Sequence, residues 1–287
     1  MQKRSQIIIC VILILIIGTS LCFGDDDKGN GTEIQEEWWD LSEFKNFLEF
    51  EFEVEYKTES GSKMIQQISD PEETLYIAVG IDEPFTDLEA EALLNFVESG
   101  GNIIIAGDNN TNVNPLAEKF GLKFNRHKII YKFEEFDYNY TFLPVEARTA
   151  NGVFSILVHS PYGIDIQSDN YQILGESITH PDRVLSVLDL NDNVEIDGND
   201  RPGPIPLIVE ITEGKGKAIF ISDAGLFTDY LWRVQSLDED FPGRVYQNDE
   251  FVLDLVHSMN PNNGKIIFDV SKQTEGFSNF HPYPKEK

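Results

Sequence analysis

Between residues 74 and 108 the spacing of apolar positions changes twice, which predicts a strand, a helix and a second strand. TLYIAVG and NIIIAGD are short unbroken apolar runs closed by small or turn-forming residues, the pattern of strands buried on both faces. Between them Leu88, Ala92, Leu93, Phe96 and Val97 recur at helical spacing, Thr86 and Glu89 make a capping box, and Gly100-Gly101 supplies a left-handed stop. A crossover this short between parallel strands lays its apolar face on the sheet.

The rest of the chain extends this theme. Trp39, Leu41, Phe44, Phe47 and Leu48 predict a helix, FEFEVEY alternates as an outer strand, and Leu116, Ala117 and Phe120 mark a short helix ended by Gly121. Residues 124–145 read as a β-rich insertion studded with Tyr131, Phe133, Phe136, Tyr138, Tyr140 and Phe142, either one buried face of a hairpin or the lining of a groove. VFSILVHS and VLSVLDL are further strands framing the turn Ser160-Pro161-Tyr162-Gly163. A hairpin across Gly214 and Gly216, a helix over residues 248–259 and a closing strand at 266–270 complete the set. Together they predict an α/β fold: a mostly parallel sheet flanked by helices, with flavodoxin-like layering.

Residues 1–23 carry Lys3 and Arg4, then an apolar run over residues 7–17, and no acid. The segment reads as a signal peptide or an uncleaved membrane anchor. The basic residues before it and Asp25, Asp26 and Asp27 after it imply that the body is exported. A polar linker follows at 24–36, an extracytoplasmic domain at 37–270 and a loosely ordered tail at 271–287. Sequons at Asn30, Asn109 and Asn139 agree with a glycoprotein. The formal net charge of −28 makes nucleic acid a poor partner. Both cysteines, Cys10 and Cys22, lie in the apolar segment, so the domain holds no disulfide and no cysteine nucleophile.

In an open sheet of this kind ligands sit beyond the carboxyl ends of the strands. Asp108 and Asp223 follow strands there, and Asn248 and Asp249 open a helix, so these four are the ligand-binding candidates. As a carboxylate pair Asp108 and Asp223 suit acid and base roles, or each caps a nearby main-chain amide. DLNDNVEIDGND is the densest run of oxygen ligands, with Asn193, Glu195, Asp197 and Asp200 around Gly198, a candidate calcium loop lacking the terminal glutamate of an EF-hand frame. The five histidines show no zinc spacing.

FTDLEAEALLNFVESGGNIIIAGD, PLAEKFGLKF, RPGPIPLIVEITEGKGKAIFISDAGLF, NDEFVLDLVHSMN and GKIIFD together resemble a prokaryotic, largely archaeal family of unknown function. That family has a class I glutamine amidotransferase-like fold. It is similar to gliding-motility-type ABC transporter auxiliary domains and to an intraflagellar transport scaffold subunit. Amidotransferase chemistry needs a cysteine on a strand-to-helix elbow, and neither that cysteine nor a G-x-S-x-G serine elbow is present. The resemblance therefore implies a non-catalytic binding or scaffold domain, accessory to a membrane transport or envelope assembly, with a protein partner there. The alternatives are a hydrolase or sugar-processing enzyme using the strand-end carboxylates, or a small-ligand or calcium-binding module.

Overall fold

The computed structural model describes residues 40–108, 110–133, 139–140, 142–178, 184–193, 195–232 and 245–273. In chain order, helix α1 (Ser42–Glu51) leads into β1 (Val54–Lys57), the one-turn α2 (Lys63–Gln66) and β2 (Thr74–Val79). Helix α3 (Asp87–Glu98), β3 (Asn102–Ala106) and α4 (Asn110–Ala117) follow. A long run of strands comes next: β4 (Leu122–Phe133), β5 (Asn139–Tyr140), β6 (Phe142–Arg148), β7 (Val153–His159), β8 (Tyr162–Ile166), β9 (Tyr171–Ser177), β10 (Val184–Leu188), β11 (Arg201–Pro202), β12 (Pro206–Glu213) and β13 (Gly216–Ile221). Helices α5 (Asp229–Trp232) and α6 (Asn248–Met259) precede β14 (Lys265–Asp269).

The stretch from β2 to β3 folds as its pattern dictates. All six residues of β2 are buried, and the two faces of this strand serve two cores. Leu75, Ile77 and Val79 pack with α1 and α6, while Tyr76 and Ala78 pack with α3 and α4. The Thr86 hydroxyl accepts from the Glu89 N–H and the Glu89 carboxylate accepts from the Thr86 N–H, which satisfies two of the helix's open donors. Gly100 sits at φ 114°, a backbone state that side-chain-bearing residues avoid. The buried face starts one residue later than the pattern suggests. Glu89 is fully buried and Leu88 is 72% exposed, because the Glu89 carboxylate turns inward to two lysines.

The expected mostly parallel, helix-flanked sheet is corrected by the topology. The larger sheet runs β1-β14-β2-β3-β13-β12-β9-β6-β7. Its first four pairings are parallel and its last four antiparallel. A second, antiparallel sheet runs β11-β10-β4-β5, with β8 also on β4. The domain is thus strand-rich and mixed. The reason lies in burial: an apolar run such as LIVEI reads alike in a parallel and in an antiparallel strand, and only its partners decide the direction. In β6 the burial alternates instead, with Val145 and Ala147 in the core and Glu146 and Arg148 outside, as expected of a strand with one wet face.

Of the aromatic series in the β-rich insertion, Tyr131 is buried in the main core and Phe142 packs beside the small cluster of Leu157, Leu231 and Tyr246. Phe136 and Tyr138 lie outside the described residues. Ser271, the first residue of the expected tail, hydrogen-bonds to Asp269, and Lys272 is 2% exposed.

Candidate functional site

The carboxyl ends of β3 and β13 bring Asp108 and Asp223 together. The Asp108 Oδ1 accepts from the Ala224 N–H at 2.6 Å, directly across the residue that follows Asp223. Asp223 accepts from the Gly225 N–H at 2.8 Å, capping a short turn, and from the His159 N–H at 2.6 Å, which ties it to β7. Burial pushes the Asp108 carboxyl up to about 7 against the pull of the Ala224 N–H and the Lys128 charge. Burial and then the Asp108 charge raise Asp223 well above the carboxylate range. Two acids in one largely enclosed corner cannot both ionise without cost, so one retains its proton near neutrality. His159 beside them is driven down to about 4, by burial first and Lys128 second. Ser160, at φ 50°, turns the chain sharply into β8. The arrangement is a main-chain clamp joining the parallel and antiparallel halves of the sheet.

Asn248 closes the far edge of that sheet. Its Oδ1 accepts from the Leu157 N–H at 2.8 Å and its Nδ2 donates to the Leu157 carbonyl at 2.9 Å, so the side-chain amide stands in for a neighbouring strand. The Gln247 N–H donates to the Ser155 carbonyl, which extends the cover along β7. Asp249 is half-buried in the first turn of α6 and takes no part in either arrangement. Asn248→Ala leaves both Leu157 groups without partners in a dry setting, and a loss of about 1–3 kcal/mol is expected by urea titration. Faster amide exchange at Leu157 is the local sign to look for.

Within the acidic run the oxygens are turned on the loop's own amides. The Asp197 carboxylate accepts from the Asn191 and Asn193 side chains and from the Asn199 N–H. Asp200 accepts from the Leu190 and Asp197 N–H groups. Asn193 holds the Glu195 N–H through its Oδ1. Among the described residues no group of three or more His, Cys, Asp or Glu side chains is placed to hold a metal ion. Of the sequons, Asn30 and Asn109 lie outside the described residues, and Asn139 opens β5 opposite Lys132.

One cluster has no counterpart in the sequence pattern. At the carboxyl ends of β1 and β14, Lys57, Glu89, Asp269 and Lys272 are all at most 2% exposed. The Lys57 Nζ lies 3.1 Å from Asp269 and 3.7 Å from Glu89, and the Lys272 Nζ lies 2.8 Å from Glu89. The Tyr76 hydroxyl donates to Asp269. Burial by itself would raise the Glu89 carboxyl, but Lys272, Thr86 and Gly61 outweigh it and hold it at about 2. Two ammonium and two carboxylate groups balance, so the cluster is a neutral bolt between the end of β14 and the start of α3. In the sequence Glu89 stands out as half of a capping box and Lys57 closes the alternating strand FEFEVEYK, but nothing there brings them to Asp269 and Lys272.

Comparison with known proteins finds a partial match to one family. The model of the IFT52 GIFT domain matches residues 32–173, just under half of the chain. Among solved structures, the mmIFT52 N-terminal domain is similar with a TM-score of 0.52 at 15% identity, covering 76% of this chain and 89% of that one. A cytoplasmic protein from Salmonella typhimurium LT2 gives a TM-score of 0.39 at 13% identity, covering 70% and 80% of the two chains. No curated protein matches.

These findings overturn several expectations. The matched family is the IFT52 GIFT domain, not a prokaryotic family of unknown function with an amidotransferase-like fold. The same match overturns the accessory role in extracytoplasmic transport and leaves the enzyme and ligand-module alternatives without support. The exported, membrane-anchored localisation is corrected on the same ground. No helix among the described residues is long and apolar enough to cross a membrane. The apolar segment at residues 1–23, on which signal peptide and anchor rested, lies outside those residues. Over residues 32–173 the chain is similar to the IFT52 GIFT domain, and across three quarters of its length it shares the fold of the mmIFT52 N-terminal domain.

Proposed function

We propose that this chain is a protein-binding assembly domain of an intraflagellar-transport-type complex. The match of residues 32–173 to the IFT52 GIFT domain carries the reading, since IFT52 is a component of a protein complex. The geometry agrees with it. Asp108 and Asp223 at the strand ends and Asn248 at the β7 edge are engaged with main-chain amides of their own domain rather than presented to a substrate. Binding by such a domain comes from its surface, not from a catalytic pocket.

The full chain, tagged and recovered from its native cells after mild crosslinking, is expected to carry at least one protein partner at constant stoichiometry. The Asp108→Asn variant should carry the same partner in the same amount, because the clamp is internal. Recovery of the chain alone, with and without crosslinking, overturns the reading.

A further inference from the structure

The two edges of the nine-stranded sheet are finished differently. At β7 the outward main-chain groups of Ser155, Leu157 and His159 are taken up by Gln247, Asn248 and Asp223. At the other end β1 pairs with β14 alone. The Glu53 and Lys57 carbonyls accept from Ile266, Val270 and Ser271, so the alternate residues, Val54 and Tyr56, turn their N–H and C=O groups away from the sheet. Among the described residues those groups have no hydrogen-bond partner.

A groove of about 570 Å³ lies beside this edge. Met64, Ile68 and Ile267 give it an apolar floor. Glu53, Glu55, Asp70 and Glu73 form its rim, against one cation, Lys265, which is already paired with Glu55. A second cavity of about 250 Å³ shares Met64 and Gln67 with it and continues past Tyr56. Phe50, near the end of the helix leading into β1, is 85% exposed.

Resting on the protein-binding reading, we propose that the β1 edge accepts an extended basic segment of a partner protein. The segment adds a strand alongside Val54 and Tyr56 and lays lysine or arginine side chains over Glu53, Asp70 and Glu73. An open edge supplies the main-chain hydrogen bonds and the groove beside it supplies the choice of side chains, which is how strand addition divides affinity from specificity. Charge selects the occupant. A second copy of this chain would bring the same row of carboxylates against itself, in a molecule of formal net charge −28, whereas a basic segment neutralises the row.

The probe is a labelled nine-residue peptide alternating lysine with valine and threonine, with a glutamate-for-lysine counterpart, titrated into the full chain by fluorescence anisotropy. The basic peptide should bind and the acidic one should not, and amide exchange at Val54 and Tyr56 should slow at least tenfold on binding. Glu53→Lys with Asp70→Lys, both exposed positions, should weaken binding at least tenfold with the melting temperature unchanged. Val54→Pro, which removes an outward N–H, should weaken it as well. Binding of the basic peptide that neither variant alters, or exchange at Val54 and Tyr56 that does not slow, overturns the proposal. So does a wild-type chain that dimerises through β1. If the double variant, Glu53→Lys with Asp70→Lys, still recovers the crosslinked native partner in full, this edge is not its dock, yet the chain still binds protein. If the wild-type chain recovers no partner, the broader reading falls first.

Discussion

Glu89→Gln is expected to lower stability by about 3–5 kcal/mol, the range for removing one charge from a buried, paired set. The glutamine keeps the shape of the side chain but leaves the Lys57 and Lys272 ammonium groups facing Asp269 alone, in a setting at most 2% exposed. The melting temperature should drop by on the order of 10 °C. Adding Lys272→Met to Glu89→Gln restores a balanced Lys57–Asp269 pair and should recover much of the loss, whereas Lys272→Met alone should not be benign. Acid supplies an independent check. The Glu89 carboxyl sits at about 2 in the folded chain against an ordinary 4.5, so its contribution is present above 4.5 and is lost as pH falls toward 2. Wild type and Glu89→Gln should therefore converge in urea midpoint over that window. A constant gap between them down to pH 2 would show that the bolt is not electrostatic.

The second large effect has the opposite sign. Asp108→Asn is expected to stabilise the protein by on the order of 2 kcal/mol at pH 8, allowing for partial exposure of the residue, and to leave it nearly unchanged at pH 4. The amide oxygen still accepts from Ala224, but the charge that repels Asp223 is gone. Folded pKa values above the ordinary range mean that the native chain holds protons the unfolded chain has released. That stability is full below about 4 and is lost as pH rises through about 7 for Asp108, and the raised Asp223 acts in the same direction. His159 works the other way. Its folded value of about 4 lies below the ordinary 6.5, so its contribution is present above 6.5 and fades as pH falls through 4. The two trends oppose each other between 4 and 6.5, and only the acids remain above it. Wild type should thus lose stability from pH 6.5 to 8 and Asp108→Asn should lose much less. Equal slopes for the two chains would rule out the coupled pair.

What the sequence disclosed follows from how local each signal is. The unit from β2 to β3 and the helix α6 were legible because periodicity, caps and stops all lie within a few residues of one another. β9, with YQILGES, gave no clean alternation, and its place between β12 and β6 depends on pairings no local pattern reports. The direction of the outer strands was hidden for the same reason, which turned a mixed sheet into an expected parallel one. Asp108 and Asp223 stood out by following apolar runs, but their meeting across 115 positions did not. The bolt was less legible still: Lys57 and Asp269 are 212 residues apart, and each taken alone is an ordinary surface residue type. The quoted strings that suggested an amidotransferase-like relative did not separate it from the IFT52 GIFT domain, whose match spans residues 32–173.

The cover that Gln247, Asn248 and Asp223 give to β7 has a consequence for how the molecule can grow. A sheet with two bare margins is a link: each copy can receive one neighbour and offer itself to the next, and a filament follows. A sheet with one margin sealed by its own side chains is a terminus. It can take one guest strand and hand nothing on, so addition stops at one per molecule. Unsealing the margin, as Asn248→Ala does in part, would give the same sheet a second open edge.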